Sequence, residues 1–311
     1  MSVAVAHESG LDSGHRSVAF ESGILHLGDC LAWMPKLTSS GADAFDLIYV
    51  DPPFNAGGTR GARAEKGERI SGEAAYRDAW GGLDAFCEML KPRVAAMRDA
   101  LSAQGSLWLQ LDYRGIHDAK LILDRVFGRA HFQGEIIWVP GNGGRRRSGP
   151  SVTHQTILIY SKTAHFIWNG DAPELRESYA TTSLEMHFSN VDADGRHYRE
   201  RVIAGKAYRY YADTGRRLGS VWTDCKSMRA NTPLNSEATG YPTQKPEKLL
   251  ERIVLASSLP GSRVLDPMCG SGTTLVAAAK LGRRFAGIDQ SDVAFEVAQK
   301  RLTKLAPLGA I

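Results

Sequence analysis

Residues 45–50, Phe-Asp-Leu-Ile-Tyr-Val, form an almost unbroken apolar run that stops at Asp51-Pro52-Pro53-Phe54. A strand that is apolar on both faces has to be covered on both, which is how the strands of parallel sheets read. Parallel neighbours cannot be joined by tight turns and need long crossover connections, usually helices. This run therefore predicts an α/β chain and argues against a sandwich or a helical bundle.

The flanking sequence keeps the same rhythm. Gly23–Leu27 reads as a strand, followed by an amphipathic helix that Asp29 starts (Cys-Leu-Ala-Trp-Met-Pro-Lys-Leu). Residues 83–101 carry apolar side chains at helical spacing, with Gly105 as a stop signal. Residues 105–112, 119–127 and 134–139 then read as strand, helix and strand. From 241 the alternation returns: a helix with Pro246 near its start, a strand at 262–266, a tight loop, a helix ending at Gly282, a strand at 283–289 and a last helix. The expected fold is a doubly wound, mostly parallel sheet of Rossmann-like α/β type. Four segments are expected: a polar N-terminal tail at 1–22, one half of the α/β domain at 23–140, an insert at 141–240 and the other half at 241–311. Residues 55–76 are Gly-rich, charged and aperiodic, and read as a loop after the Pro-Pro corner.

Composition enters mainly through charge. The chain of 311 residues has a net charge of +4, but residues 141–230 hold 14 Lys and Arg against 9 Asp and Glu. That excess suits a segment facing a polyanion, or a solvated surface loop. No stretch of about 18 apolar residues exists to span a membrane, and the N-terminus has neither the basic nor the apolar region of a secretion signal. Cys30, Cys87, Cys225 and Cys269 show no paired or zinc-ligand spacing; free thiols in a reducing cytoplasm are expected, and no metal. His154, His165, His187 and His197 show no ligand spacing either.

Two clusters carry chemistry. The first is Asp266-Pro267-Met268-Cys269-Gly270-Ser271-Gly272-Thr273-Thr274 between a strand and a helix, with Asp289 ending the next strand. Strand, glycine loop, helix, strand and acidic residue form a nucleotide-type cofactor site. The position three after Gly272 is Leu275, so the dinucleotide fingerprint fails, and no Lys follows the glycines as a P-loop requires. A cofactor with an adenosine but no pyrophosphate fits, namely S-adenosylmethionine. Asp289 is placed to accept the ribose hydroxyls, and Asp266 to face the ammonium of the methionine part. Leu275 disfavours the alternative of a nicotinamide-dependent oxidoreductase.

The second cluster is Asp51-Pro52-Pro53-Phe54. The exocyclic amine of a nucleobase is a poor nucleophile because its lone pair is delocalised into the ring. A carboxylate (Asp51) and a carbonyl (Pro52) accepting both N–H groups would localise that lone pair. Prolines have fixed φ and no N–H, which keeps the corner rigid, and Phe54 offers a ring for stacking. A base reaching such a corner has to leave the duplex. A plain Pro-Pro turn closing a strand would have the same residues.

Asp51–Phe54, the stretch YPTQKPEKLLERI at 241–253, LDPMCGSGTT at 265–274 and GID at 287–289 together resemble the amino-group DNA methyltransferases, with the motif order of the permuted β class. The resemblance covers about 23–140 and 238–303 and implies S-adenosylmethionine-dependent methylation of adenine in double-stranded DNA. It places Asp51, Pro52, Pro53 and Phe54 at the target amine. It places Asp266, Met268, Gly270, Gly272, Thr273 and Asp289 at the cofactor, with Thr243 and Lys245 over its methionine end and Asp29 at its adenine. Phe54 stands where many members have Tyr, and Met268 where Phe is usual. The resemblance makes 141–240 the target recognition region, with Arg145, Arg146 and Arg147 suited to phosphates or guanine edges. It leaves open the exocyclic amine of cytosine as target, a homodimer, and a cognate restriction endonuclease as partner. A non-catalytic DNA-binding module is disfavoured by the intact corner.

Overall fold

A computed structural model describes residues 16–39, 43–53, 59–63, 69–77, 81–141, 147–228 and 237–305. The described chain divides into a larger unit, spanning 1–168 and 220–311, and a smaller one, Asn169–Gly219.

The larger unit is built on a nine-stranded sheet. In chain order its strands are β1 (Arg16–Phe20), β2 (Gly23–Leu27), β3 (Phe45–Val50), β4 (Leu101–Leu111), β5 (Phe132–Trp138), β6 (Gln155–Ser161), β7 (Val221–Trp222), β8 (Arg263–Asp266) and β9 (Arg284–Asp289). Their spatial order is β1-β2-β9-β8-β3-β4-β6-β5-β7. Only β1 and β6 run against the rest: β1 pairs antiparallel with β2, and β6 antiparallel with both β4 and β5. The other pairings, β2 with β9, β9 with β8, β8 with β3, β3 with β4 and β5 with β7, are parallel.

Among the described residues six α-helices complete the unit: α1 (Cys30–Leu37), α2 (Leu83–Ala100), α3 (Ile116–Phe127), α4 (Glu247–Ser257), α5 (Thr273–Lys280) and α6 (Asp292–Thr303). Phe86, Leu90, Val94 and Leu123 of α2 and α3 are buried in one core with Ile48 and Val50 of β3, Leu265 of β8 and Ile288 of β9. On the opposite face of the same strands, α5 lies against β9. An added Cβ at Gly287 would sit 2.3 Å from Leu275 Cδ1 and 3.1 Å from Leu25 Cδ1. The close helix–strand approach is thus made by a glycine on the strand, with leucine on the helix.

Three segments depart from the sequence reading. Residues 16–20, inside the expected polar tail, are β1; Val18 is buried, and the strand folds back on β2 through a two-residue turn. Within the expected loop at 55–76, Thr59–Arg63 and Arg69–Arg77 pair as an antiparallel hairpin whose register shifts beside Gly61. Backbone pairing needs no apolar periodicity, so the composition concealed it. Finally, 141–240 is not one insert: β6 and β7 within it belong to the large sheet, and only Asn169–Gly219 forms a compact unit. That smaller unit pairs Asn190–Val191, His197–Ile203 and Lys206–Tyr211 antiparallel. It holds eight basic and eight acidic residues, so the positive excess of 141–230 lies outside it.

Candidate active site at the carboxyl edge of the sheet

Four adjacent parallel strands, β2, β9, β8 and β3, open at their carboxyl ends onto one pocket, where open α/β sheets bind ligands. Each delivers an aspartate: Asp29 after β2, Asp289 and Asp266 ending β9 and β8, and Asp51 after β3. All four line the pocket.

Asp29 caps α1: Oδ1 accepts the Leu31 N–H at 2.8 Å, and Oδ2 pairs with Arg93 of α2 at 2.6 Å. Asp289 fastens the glycine loop. Its Oδ2 accepts the Gly270 N–H at 2.8 Å and its Oδ1 the Ser291 N–H at 2.9 Å, while Cys269 N–H bonds the Ile288 carbonyl at 2.9 Å. Gly270 and Gly272 both have left-handed φ, +51° and +74°. A Cβ on Gly270 would meet the Tyr241 ring at 3.2 Å, and one on Gly272 would lie 2.9 Å from Ala298 Cβ of α6. Gly270 therefore lines the pocket, whereas Gly272 serves the packing of the loop on α6. From behind, Arg301 of α6 donates to the Ser271 carbonyl at 2.8 Å and Thr273 Oγ1 at 2.9 Å, and pairs with Glu247 of α4 at 2.8 Å.

Asp266 is 3% exposed. Its oxygens accept the Thr274 hydroxyl at 2.5 Å and the Met268 N–H at 3.2 Å. Burial, reinforced by the neighbouring Asp51 and Asp289 carboxylates, raises its pKa to about 7. A buried carboxyl in this state suits a ligand that brings a positive charge.

At the far side Asp51 forms an ion pair with Lys245, which is 8% exposed. Lys245 also donates to the Thr243 carbonyl at 3.3 Å. Thr243 has φ +62°, a conformation strained for a β-branched residue and concentrated at functional sites. Pro52 is buried and Pro53 half-buried, both at the pocket wall. Tyr49, two residues before Asp51 on the same strand face, donates to Gln110 Oε1 at 2.7 Å.

The structure thus brings together Asp29, Asp51, Pro52, Pro53, Thr243, Lys245, Asp266, Met268, Gly270, Thr273 and Asp289 around one pocket. Phe54, Arg145 and Arg146 lie outside the described residues, and Arg147 is exposed and does not line the pocket. Sequence reading missed Tyr49, Arg93, Tyr241 and Gln290. Tyr49 was reachable by strand alternation from Asp51; Arg93 gave no signal, since its partner lies 64 positions away. Two thiols at the wall, Cys30 and Cys269, are pushed up by burial, Cys30 to about 11. They stay protonated at neutral pH and offer no thiolate nucleophile.

Comparison with known proteins identifies the family. A family model described as DNA methylase matches residues 45–300. The chain is 30% identical to the Type II methyltransferase M.EcaI of Enterobacter cloacae over 85% of its own length, and spans 66% of that enzyme. It is 29% identical to the DNA adenine methyltransferase YhdJ of Escherichia coli (strain K12), covering 90% of this chain and 82% of YhdJ. Among solved structures, the M1.HpyAVI–SAM complex superposes with a TM-score of 0.52 at 20% identity, covering 89% of this chain and 98% of the other.

Proposed function

Since the chain belongs to the DNA methylase family, we propose that it transfers the methyl group of S-adenosylmethionine to the exocyclic amine of an adenine flipped out of duplex DNA, as a permuted β-class enzyme. The observation that carries this reading is the opening of Asp51 and Asp266, at the ends of the adjacent strands β3 and β8, into one pocket.

The residues present fit that cofactor. Asp266 would hold the ammonium group, Asp289 the ribose, Asp29 the adenine side, and Thr243 with Lys245 the methionine end; Met268 would pack alongside, and Gly270 leaves room where a side chain would close the pocket against Tyr241. When bound, S-adenosylmethionine supplies an electrophilic methyl group on a sulfonium. The protein's part is to make the amine nucleophilic and to position it. Asp51 and the Pro52 carbonyl accept its two N–H bonds, so the nitrogen lone pair turns out of the ring plane. Asp51 can then take the proton that the nitrogen sheds after substitution. Pro52 and Pro53 fix the corner, and Phe54 offers the stacking surface. The protonated state of Cys30 and Cys269 fits attack by an amine and not by a thiolate.

In this reading target recognition falls to the parts of 141–240 outside β6 and β7, with Arg145, Arg146 and Arg147 on the DNA backbone or guanine edges. The names of the relatives also make a restriction endonuclease partner reasonable to test, as is self-association into a dimer. Long-read sequencing of DNA from cells expressing the protein reports modified base and context together. Methylated adenine in one motif is expected. Methylated cytosine would move the target to the other exocyclic amine, and unmodified DNA would overturn the proposal. Among the described residues no helix is long and apolar enough to cross a membrane.

A further inference from the structure

Two cations line the pocket among the described residues, Arg93 and Lys245, against four carboxylates. Arg93 is committed at the adenine side: it holds Asp29 Oδ2 at 2.6 Å and donates to the Met89 carbonyl at 3.0 Å. Lys245 is therefore the pocket cation within reach of the methionine end. Yet its ammonium sits on Asp51, the group that has to receive the target amine.

Those two demands conflict. The ammonium occupies Oδ2, one of the two oxygens through which Asp51 can accept an N–H, so Lys245 and the target amine compete for the same carboxylate. An incoming carboxylate offers the same ammonium a second partner. Lys245 lies on a short link between strained Thr243 and Pro246, the cap of α4.

We propose that Lys245 is shared between Asp51 and the carboxylate of the cofactor's methionine end, so that a bound cofactor frees Asp51 for the target amine. This rests on the cofactor reading above. Linkage makes the coupling reciprocal: whatever the Lys245–Asp51 pair takes from cofactor affinity, the cofactor takes from the pair. The site then favours cofactor first and base second, and the catalytic carboxylate is masked while no methyl donor is present.

Calorimetry without DNA tests this, using S-adenosylmethionine and its decarboxylated analogue, which keeps the sulfonium and amine but lacks the carboxylate. Wild-type protein should prefer S-adenosylmethionine. Asp51→Asn should bind it about tenfold more tightly, within the 5- to 150-fold range usual for such coupling, and bind the analogue as before. Lys245→Met should erase the preference, its retained affinity for the analogue showing that it is folded. In the Lys245→Met background the gain from Asp51→Asn should vanish. A gain that persists there would reduce the effect to charge repulsion and overturn the inference, as would unchanged affinity in Asp51→Asn. Wild-type protein that binds neither compound would overturn the cofactor reading as well.

Discussion

Asp266 offers a pH-dependent test of the cofactor pocket. Its carboxyl is held at about 7 instead of 3.8, mainly by burial, so ionising it costs about 4 kcal/mol at roughly 1.4 kcal/mol per tenfold. Between about pH 4 and 7 the folded protein keeps a proton that the unfolded chain releases. Stability of the cofactor-free protein therefore falls as pH rises through that window and levels off above it. Binding an ammonium at Asp266 demands the ionised form, so the site must expel that proton, and affinity for S-adenosylmethionine should fall about tenfold per pH unit below 7. Asp266→Asn removes both effects. Its amide can accept from Met268 N–H and donate to the Thr274 hydroxyl, keeping the local bonds while abolishing the buried charge. The variant should melt higher at pH 8, by several degrees for a gain approaching 4 kcal/mol at about 2 °C per kcal/mol, and bind the cofactor weakly and independently of pH. Calorimetric titrations and melting curves from pH 5.5 to 8.5 read both quantities. A wild-type affinity that is flat across this range, or a variant melting below wild type at pH 8, would refute the assignment of Asp266.

Three further outcomes are expected. Asp51→Ala should abolish methyl transfer in a radiolabelled assay at saturating cofactor, and substantial residual turnover would remove Asp51 from the reaction. Gly287→Ala should destabilise the protein by about 1–3 kcal/mol through overpacking against Leu275, and Leu275→Ala should recover part of that loss in denaturant titrations; additive losses would show that the two positions do not share this contact. Replacing Arg145, Arg146 and Arg147 together by Ala should leave S-adenosylmethionine affinity alone and lower the slope of log K for duplex DNA against log salt by about 0.9 per lost phosphate contact. An unchanged slope together with unchanged discrimination between duplexes would make the cluster a solvated loop.

The sequence exposes the elements better than their arrangement. Residues 45–50 announce β3 because burial on both faces leaves a continuous apolar signal, and each strand of the shared pocket ends at, or within two residues of, an aspartate that marks the turn to follow. Asp29, Asp51, Asp266 and Asp289 were therefore all legible. What the alternation does not carry is strand order: nothing in residues 263–266 says that β8 lies between β9 and β3. The reversed direction of β6 is equally silent, since a strand buried on both faces reads the same either way. A dinucleotide fingerprint would carry the glycine for close helix–strand packing at position 275 on α5, whereas the fold has it on β9 as Gly287. The mild positive charge of 141–230 was legible as a sum, but its absence from Asn169–Gly219 emerges only once the compact unit is delimited. Lys245 was legible as part of a motif, but its pairing with Asp51 was not.

The β3–β8 pairing has a consequence for how the protein comes into being. Lys245 follows Asp51 by 194 positions, and β8 begins later still, so the corner at Asp51 leaves the ribosome well before the chain that borders its pocket. Until residues 263–266 arrive, the edge of β3 that will receive β8 has no partner, and an unpaired apolar strand edge invites pairing with other chains. Contacts of such sequence separation also form slowly, because the loop must be closed before the strands reward it. The architecture thus makes the nascent enzyme inert by construction, because neither the glycine loop nor Lys245 exists when the corner first forms. It also puts the most aggregation-exposed interval of synthesis between β3 and β8, the stretch in which a chaperone that shields strand edges would matter most.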